Sequence, residues 1–187
     1  MIGHSRAGDQ GWMSSRSVPR RVHWAVQLLD VFSGDEILEI GCGPGVAVSL
    51  VCDRLAGGRI TAVDRSAIAI QRATHRNAGH VASGKAVLRQ ADLAGLALGG
   101  QHFDKVFAIN VNLFWARPAD AELLLIKDLL RPGGVLRLIY ETPGEEQAGR
   151  VTDAVTAALA SHGFETTVTA GSSPSLLCVS ARPTGDR

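Results

Sequence analysis

The chain has 187 residues, of which 45% are hydrophobic and 20% are charged, and its formal net charge is +1. This balance is typical of a globular protein with one core, and it excludes a disordered or fibrous chain. A charge so close to zero argues against a strong sequence-independent grip on nucleic acid or on an anionic membrane, so we expect neither partner.

Cysteine pattern and hydropathy indicate the compartment. Cys42, Cys52 and Cys178 are odd in number and have no CxxC spacing, which favours reduced, buried thiols over disulfides or a zinc site. No apolar run approaches the roughly 18 residues that a membrane-spanning helix needs. The pair Arg20-Arg21 precedes an amphipathic segment, which does not fit an export signal. We predict a cytoplasmic protein.

Residues 1–21 are predicted to form a flexible N-terminal arm, because they are rich in Gly, Ser and Arg and show no hydrophobic periodicity. A single domain is predicted to follow over residues 22–187, without an internal repeat or a linker. Apolar residues at helical spacing predict its first helix over residues 22–32, and the turn 33–35 closes that helix.

Strands and helices then alternate along the chain. Strands are predicted at 36–40, 59–63, 86–89, 105–109 and 135–140. Between them, helices are predicted at 46–55, from the N-cap Ser66 through Ala73, and at 119–130, the last being followed by Pro132-Gly133-Gly134. This alternation indicates βαβ units, and therefore a parallel sheet with helices on both faces.

The C-terminal part follows another pattern. A helix over 145–162 is stopped by Gly163, and two strands, 164–170 and 176–181, are joined by a short turn. Two strands joined in this way form a hairpin, which adds an antiparallel strand to an otherwise parallel sheet. The predicted fold is therefore α/β, with a seven-stranded, mostly parallel sheet.

A glycine-rich turn follows the first predicted strand, in the sequence Ile37-Leu38-Glu39-Ile40-Gly41-Cys42-Gly43-Pro44-Gly45. Glycines at a strand-to-helix turn allow a ligand to approach the backbone. Position 46 is Val, so the pattern is GxGxG and not the GxGxxG of dinucleotide-binding proteins. The alternative is a plain tight turn.

Two aspartates follow the next two strands. Asp64 ends the second strand, 23 residues after Gly41, where a carboxylate can accept both hydroxyls of a ribose. Asp92 stands beside the apolar Leu93 after the third strand, where it can accept the exocyclic amine of an adenine. The alternatives are a turn or cap residue for Asp64 and a solvated loop residue for Asp92.

Five segments, taken together, resemble the ordered motifs of class I S-adenosylmethionine (SAM)-dependent methyltransferases, in particular the branch with ubiquinone- and menaquinone-biosynthesis enzymes. These segments are 38–45, 62–66, 90–92, 103–106 and 130–134. The resemblance covers residues 33–141, and the terminal helix and hairpin fit the family's seven-stranded end. It implies a Rossmann-like fold and methyl transfer from SAM, with S-adenosylhomocysteine (SAH) as product, to an unidentified small-molecule acceptor.

The resemblance also implies cofactor-binding residues. Around the methionine part of SAM and its methyl group, it implies Glu39, Gly41, Gly43, Gly45 and Asn110. Around the ribose and adenine, it implies Asp64, Arg65, Asp92 and Leu93.

No decisive catalytic base is apparent. His23, Tyr140 and Glu141 are candidates, although a structural role is favoured for each. Asn112, Phe114 and Trp115 follow the fourth strand and are expected to face the acceptor; the alternative is that the two aromatic residues pack under the next helix. Because only residues 142–144 separate the fifth strand from the last long helix, no insertion covers the substrate, and we expect the arm to be the lid.

Two patterns that are absent from the sequence restrict the kind of acceptor and the mechanism of methyl transfer. The segment Asn110-Val111-Asn112-Leu113 lacks the Asn/Asp-Pro-Pro-aromatic pattern with which enzymes that methylate nucleic-acid amino groups hold a flipped base. A metal-assisted catechol mechanism would want a carboxylate at Asn110, so we predict no metal. A homodimer is left open. The rival functions are an NAD(P)-dependent oxidoreductase and a SAM-binding protein without methyl transfer.

Overall fold

Seven strands and seven helices follow one another in the computed structural model, which describes residues 18–96 and 98–185. The strands are β1 Glu36–Ile40, β2 Arg59–Asp64, β3 Ala86–Gln90, β4 Phe103–Ile109, β5 Leu130–Glu141, β6 Phe164–Ala170 and β7 Leu176–Pro183. The helices are α1 Arg20–Leu29, α2 Val46–Cys52, α3 Ala67–Arg76, α4 Ala78–Ala82, α5 Leu113–Ala116, α6 Asp120–Leu129 and α7 Glu145–Ser161. A single 3-10 turn lies at Leu93–Gly95.

The strands form one sheet in the order β3-β2-β1-β4-β5-β7-β6. The pairs from β3 to β5 are parallel, whereas β7 runs antiparallel to both β5 and β6. In the centre, Ile40 of β1 pairs with Val63 of β2 on one side and with Ala108 of β4 on the other. The predicted α/β fold with an antiparallel C-terminal hairpin is thereby confirmed.

Each face of the sheet carries its own apolar core. Leu38, Leu136 and Leu138 belong to the core shared with α6 and α7, whereas Ile37 and Ile139 belong to the core shared with α1 and α2. Neighbouring residues of a strand point to opposite faces, so strands buried on both sides consist almost entirely of apolar residues. Cys42, Cys52 and Cys178 are buried and unpaired, as predicted.

A buried ion pair fixes the amino-terminal edge of the sheet. Lys105 Nζ lies 2.6 Å from Asp35 Oδ2, and both side chains are almost fully buried. Lys105 also donates to the carbonyl of Asp30 and lies over the ring of Phe32. These contacts hold the turn between α1 and β1 against β4.

Several observed bounds differ from the predicted ones; α1 ends at Leu29 and α2 at Cys52, each three residues early. Helix α1 begins at Arg20, inside the segment assigned to the arm, and residues 1–17 of that arm lie outside the described residues. Strand β5 begins at Leu130, which pairs with Phe103 before the register shifts at the Pro-Gly-Gly segment. Helices α4 and α5 were not predicted, because four or five residues are too few to establish a helical period. Across residues 18–96 and 98–185, no helix has both the length and the apolar character that crossing a membrane requires.

Candidate functional site

A cavity of about 480 Å³ lies at the carboxyl-terminal edge of the sheet. The chain runs from β1 to its neighbour β2 and on to β3 at one edge, and then returns to β4 on the other side of β1. The order of the strands therefore reverses between β1 and β4. Ligands of open α/β sheets bind at such a switch point. The cavity is lined by Ile40, Gly41, Val63, Asp64, Arg65, Ala91, Asp92, Leu93, Ile109, Asn110, Val111, Asn112, Leu113, Ala116 and Arg117.

The three glycines of the loop after β1 have different surroundings, although each has a positive φ. A Cβ on Gly41 would lie 2.5 Å from Cγ2 of Val111. A Cβ on Gly45 would lie 2.6 Å from Nδ2 of Asn77, beside α3. A Cβ on Gly43 would meet no protein atom within 4 Å. Gly45 therefore serves the packing of α2 against α3, whereas the backbone at Gly43 is open to a ligand.

Asp64 is positioned by two backbone amides. The N–H of Gly43 donates to Oδ2, and the N–H of Ser66 donates to Oδ1, each at 2.9 Å. Asp64 is thus a turn residue, which was the alternative considered from the sequence. Its half-buried carboxylate also lines the cavity. Each carboxylate oxygen has two lone pairs, so both can still accept a further hydrogen bond. Arg65 lies next to it, exposed at the cavity.

Asp92 and Leu93 form the β3 side of the cavity. Oδ1 of Asp92 accepts the N–H of Ala94 at 3.4 Å, at the start of the 3-10 turn. Asp92 is exposed, whereas Leu93 is buried in the core, and both line the cavity. A hydrogen-bond acceptor beside an apolar surface is thus present where the sequence predicted it.

Glu39 is a buried carboxyl group with an unpaired oxygen. It lies in β1, is only 3% exposed, and its Oε2 has no hydrogen-bond partner among the described residues. Burial, and to a lesser extent the charge of Asp64, raise the pKa of Glu39 to about 8. Glu39 is not one of the residues that line the cavity, although its neighbours Ile40 and Gly41 are.

Asn110 has an unusual backbone conformation at the end of β4. Its φ of 54° is positive, which is uncommon for a residue other than glycine. Its N–H donates to the carbonyl of Ile139 at 2.8 Å, and its Oδ1 accepts the N–H of Glu141 at 2.7 Å. These two bonds to β5 hold Asn110 at the cavity in a conformation typical of functional sites.

The three residues that the sequence predicted to face the acceptor have different surroundings in the structure. Asn112 is exposed and lines the cavity. Phe114 is only 2% exposed and belongs to the core, and Trp115 is half-buried against the same core. Both aromatic residues therefore pack in or against the core, as the alternative proposed. Their contact with an acceptor stays a prediction.

None of the three candidate bases lines the described cavity. His23 is exposed on α1. Tyr140 is 3% exposed, and its burial raises the pKa of the hydroxyl above the usual range. Glu141 forms an ion pair with Arg21, with Nη1 and Oε2 3.0 Å apart. Within the described ranges, no three His, Cys, Asp or Glu side chains are grouped as a metal site would require.

Arg117 is a cavity residue that the sequence analysis missed. Its Nη2 lies 2.5 Å from Oε1 of Glu122, a buried residue in the first turn of α6. The two residues are separated by a turn, and their spacing matches no helical pair or motif. The short connection between α5 and α6 brings these residues, five positions apart, into contact, and the sequence alone did not indicate the conformation of that connection.

Comparison with known proteins defines the family to which the chain belongs. Residues 37–134, more than half of the chain, match the family described as a methyltransferase domain, and the chain belongs to that family. The trans-aconitate 2-methyltransferase of Paracidovorax citrulli is 29% identical over 139 residues, 74% of this chain and 51% of the relative. The trans-aconitate 2-methyltransferase of Delftia acidovorans is 32% identical over 117 residues, 62% of this chain and 41% of the relative. The chain thus spans about half the length, or less, of these relatives.

Solved structures share the fold at low identity. The glycopeptide N-methyltransferase MtfA in complex with SAM has a TM-score of 0.71 at 17% identity, covering 88% of this chain and 87% of that one. A SAM-dependent O-methyltransferase from Thermotoga maritima has a TM-score of 0.71 at 15% identity, covering 90% and 66%. The [4+2]-cyclase SpnF has a TM-score of 0.69 at 16% identity, covering 88% and 80%. Because one of these proteins is a cyclase, the shared fold does not define the reaction.

Proposed function

We propose that this protein transfers a methyl group from SAM to a small-molecule acceptor. The observation that carries the proposal is the cavity at the switch point, which is lined by Asp64, Asp92 and Gly41 of the glycine loop. Membership of the methyltransferase-domain family supports it. The SAM and sinefungin complexes of MtfA and the trans-aconitate-methylating relatives support the cofactor and a small acceptor.

The residues at the cavity fit the parts of SAM. In the proposed arrangement, Asp64 would accept hydrogen bonds from the ribose, and Asp92 with Leu93 would hold the adenine. The methionine part would lie along Gly41 and Gly43, and the backbone at Gly43 is open to it, whereas Gly41 is packed against Val111. The unpaired, buried oxygen of Glu39 is a suitable neighbour for a cationic amino group, since a buried acceptor without a partner is costly.

SAM, when bound, supplies a methyl group that is already activated by the positive charge of its sulfonium. The remaining task of the chain is to align the acceptor and to exclude water, because orientation contributes most to such a displacement. The titratable side chains that line the described cavity are Asp64, Arg65, Asp92 and Arg117. This set suits an acceptor whose reacting atom arrives without a proton, since a base is needed only for a protonated nucleophile.

Calorimetric titration with SAH and with NADH tests the proposal. We expect saturable binding of SAH and none of NADH, since the loop is GxGxG and lacks the GxGxxG spacing of dinucleotide-binding proteins. Binding of NADH without SAH would instead favour the oxidoreductase.

A SAM-binding protein without methyl transfer remains the second candidate, because the cyclase SpnF shares the fold. It is distinguished by incubating the protein with methyl-labelled SAM and a panel of small acids, phenols and amines. Labelled product supports methyl transfer. SAH binding without labelled product from any of them would favour the second candidate.

A further inference from the structure

The charges around the cavity are distributed unevenly over the strands. Asp64 ends β2 and Arg65 follows it, and Asp92 follows β3, whereas Arg117 is the charged lining residue that comes after β4. In the sheet, β1 lies between β4 and the pair β2 and β3. If SAM is held from β1 towards β3, as proposed above, the charge that the described lining of the cavity leaves for the acceptor is the guanidinium of Arg117.

The guanidinium of Arg117 is held in place by two neighbouring residues. Nη2 lies 2.5 Å from Oε1 of Glu122, and Nη1 donates to the carbonyl of Pro118 at 2.8 Å. The side chain of Glu122 is only 4% exposed, whereas that of Arg117 is 54% exposed. Arginine has five N–H donors, and two of them have partners among the described residues. Three donors therefore stay available to a ligand.

We propose that the methyl acceptor carries a carboxylate group and that Arg117 binds it, with Glu122 as the positioning residue for the guanidinium. This inference rests on the proposed function. A guanidinium fits the two oxygens of a carboxylate with parallel hydrogen bonds. Because its salt bridge with Glu122 restricts its rotamers before the ligand arrives, little conformational entropy is lost on binding. The neutral side chains of Asn110 and Asn112, which line the same part of the cavity, add no negative charge that would repel the acceptor.

The competing explanation is that Arg117 only neutralises the buried carboxylate of Glu122. Both explanations predict that Arg117→Ala lowers the melting temperature, because a buried charge would lose its partner. They differ in ligand binding, which only the proposed role affects.

The test is calorimetry on the SAH-saturated protein with citrate, succinate and benzoate as probes, and with their uncharged methyl esters as controls. We expect at least one acid to bind and its ester to bind at least about tenfold more weakly, since the ester has lost the charge that the guanidinium recognises. Arg117→Ala should weaken binding of that acid by about tenfold or more, and Arg117→Lys should recover part of the loss.

Two further variants complete the design. Arg117→Ala/Glu122→Gln removes the guanidinium without leaving a buried charge, and it should show the same loss of acid binding in a stable fold. Arg150→Ala removes an exposed arginine that pairs with Glu146 on α7, and it should bind the acid normally. The proposal is overturned if none of the acids binds, if acid and ester bind equally, or if the double variant binds like the unmodified protein. Failure of SAH itself to bind would count against the proposed function instead.

Discussion

The carboxylate of Asp64 joins the end of β2 to the glycine loop, because its Oδ2 accepts the backbone N–H of Gly43 at 2.9 Å. Its Oδ1 accepts the N–H of Ser66, whose hydroxyl in turn caps α3 by accepting the N–H of Ala69. One side chain thus positions two neighbouring loops at the cavity. Removing it would disturb the loop and any ligand that depends on the carboxylate.

Asp64→Ala is expected to weaken SAH binding by about 30-fold or more. Hydrogen bonds to a charged group contribute roughly 1.5–3 kcal/mol each, and about 1.4 kcal/mol is a factor of ten. Calorimetry measures the change, and Asp153→Ala, an exposed aspartate on α7, is the matched control. A loss of less than about threefold would show that the ribose is held elsewhere.

Valine at position 43 is expected to affect ligand binding, whereas alanine at position 45 is expected to affect stability. Gly43→Val should leave most of the fold, because no protein atom lies within 4 Å of the added Cβ, but it should abolish SAH binding by filling ligand space. Gly45→Ala should lower the melting temperature, because its Cβ would clash with Asn77 and Ala73. Both positions have positive φ, so both variants also carry backbone strain, which is larger for the β-branched valine. Normal SAH binding by a folded Gly43→Val protein would contradict the assignment of the loop.

Glu39 is expected to make the protein less stable as the pH rises. Its pKa is about 8 in the folded protein against an ordinary value of 4.5, so the folded state binds the proton more tightly than the unfolded state. The contribution of the neutral carboxyl is therefore fully present below pH 4.5 and is lost progressively as the pH rises through 8. Compared with Glu39→Gln, the unmodified protein should lose about 2–4 kcal/mol between pH 5 and pH 9. Urea unfolding at several pH values measures this difference, and parallel curves for the two proteins would exclude it.

Binding of SAM should also release a proton from Glu39. If the cationic amino group lies beside Glu39, it favours the charged carboxylate, which at pH 7 is protonated in the unliganded protein. Calorimetry in phosphate and in Tris, whose ionisation enthalpies differ, should show release of nearly one proton for the unmodified protein. Glu39→Gln should release none, and equal binding enthalpies in both buffers for the unmodified protein would place the amino group away from Glu39.

The buried ion pair at the other edge of the sheet is expected to matter for stability. Asp35→Ala leaves Lys105 buried without its carboxylate, and breaking such a pair costs about 3–5 kcal/mol. Glu146→Ala breaks the exposed pair with Arg150 and should change the free energy of unfolding little. Urea unfolding compares the two, and similar small effects would mean that water reaches Lys105.

Deletion of residues 1–17 tests whether the arm covers the acceptor site. The first turn of α1 is tied to the carboxyl-terminal edge of the sheet, since Arg20 donates to Ser172 Oγ at 2.8 Å and Arg21 pairs with Glu141. The arm is thus connected at the edge where the cavity lies. The shortened protein should keep its melting temperature, because α1 remains whole, and should lose most turnover and some SAH affinity. Full turnover with an acceptor would show that the arm is not a lid.

The strands could be predicted from the sequence because a buried parallel strand is a short apolar run bounded by glycine, proline or polar residues. All seven predicted strands are present. Asp64 and Asp92 could be predicted to lie close together because each stands at the end of a strand, and the carboxyl-terminal ends of parallel strands meet at one edge; both line the cavity. The short helix α5 could not be predicted from the sequence. The positions of Phe114, Trp115 and Arg117, which lie in or directly after this helix, were therefore undetermined.

By itself, the sequence determined the order of strands and helices, the glycine turn, and which carboxylates follow which strand. These are local properties, set by side-chain periodicity and by backbone conformations that few residues tolerate. Only the tertiary structure decided that Gly45 packs against Asn77, that the carboxyl group of Glu39 is buried without a partner, and that Arg117 is held by Glu122. The first two depend on the distance between segments that the fold brings together, and the third depends on the conformation of the connection between α5 and α6; no side-chain periodicity encodes either.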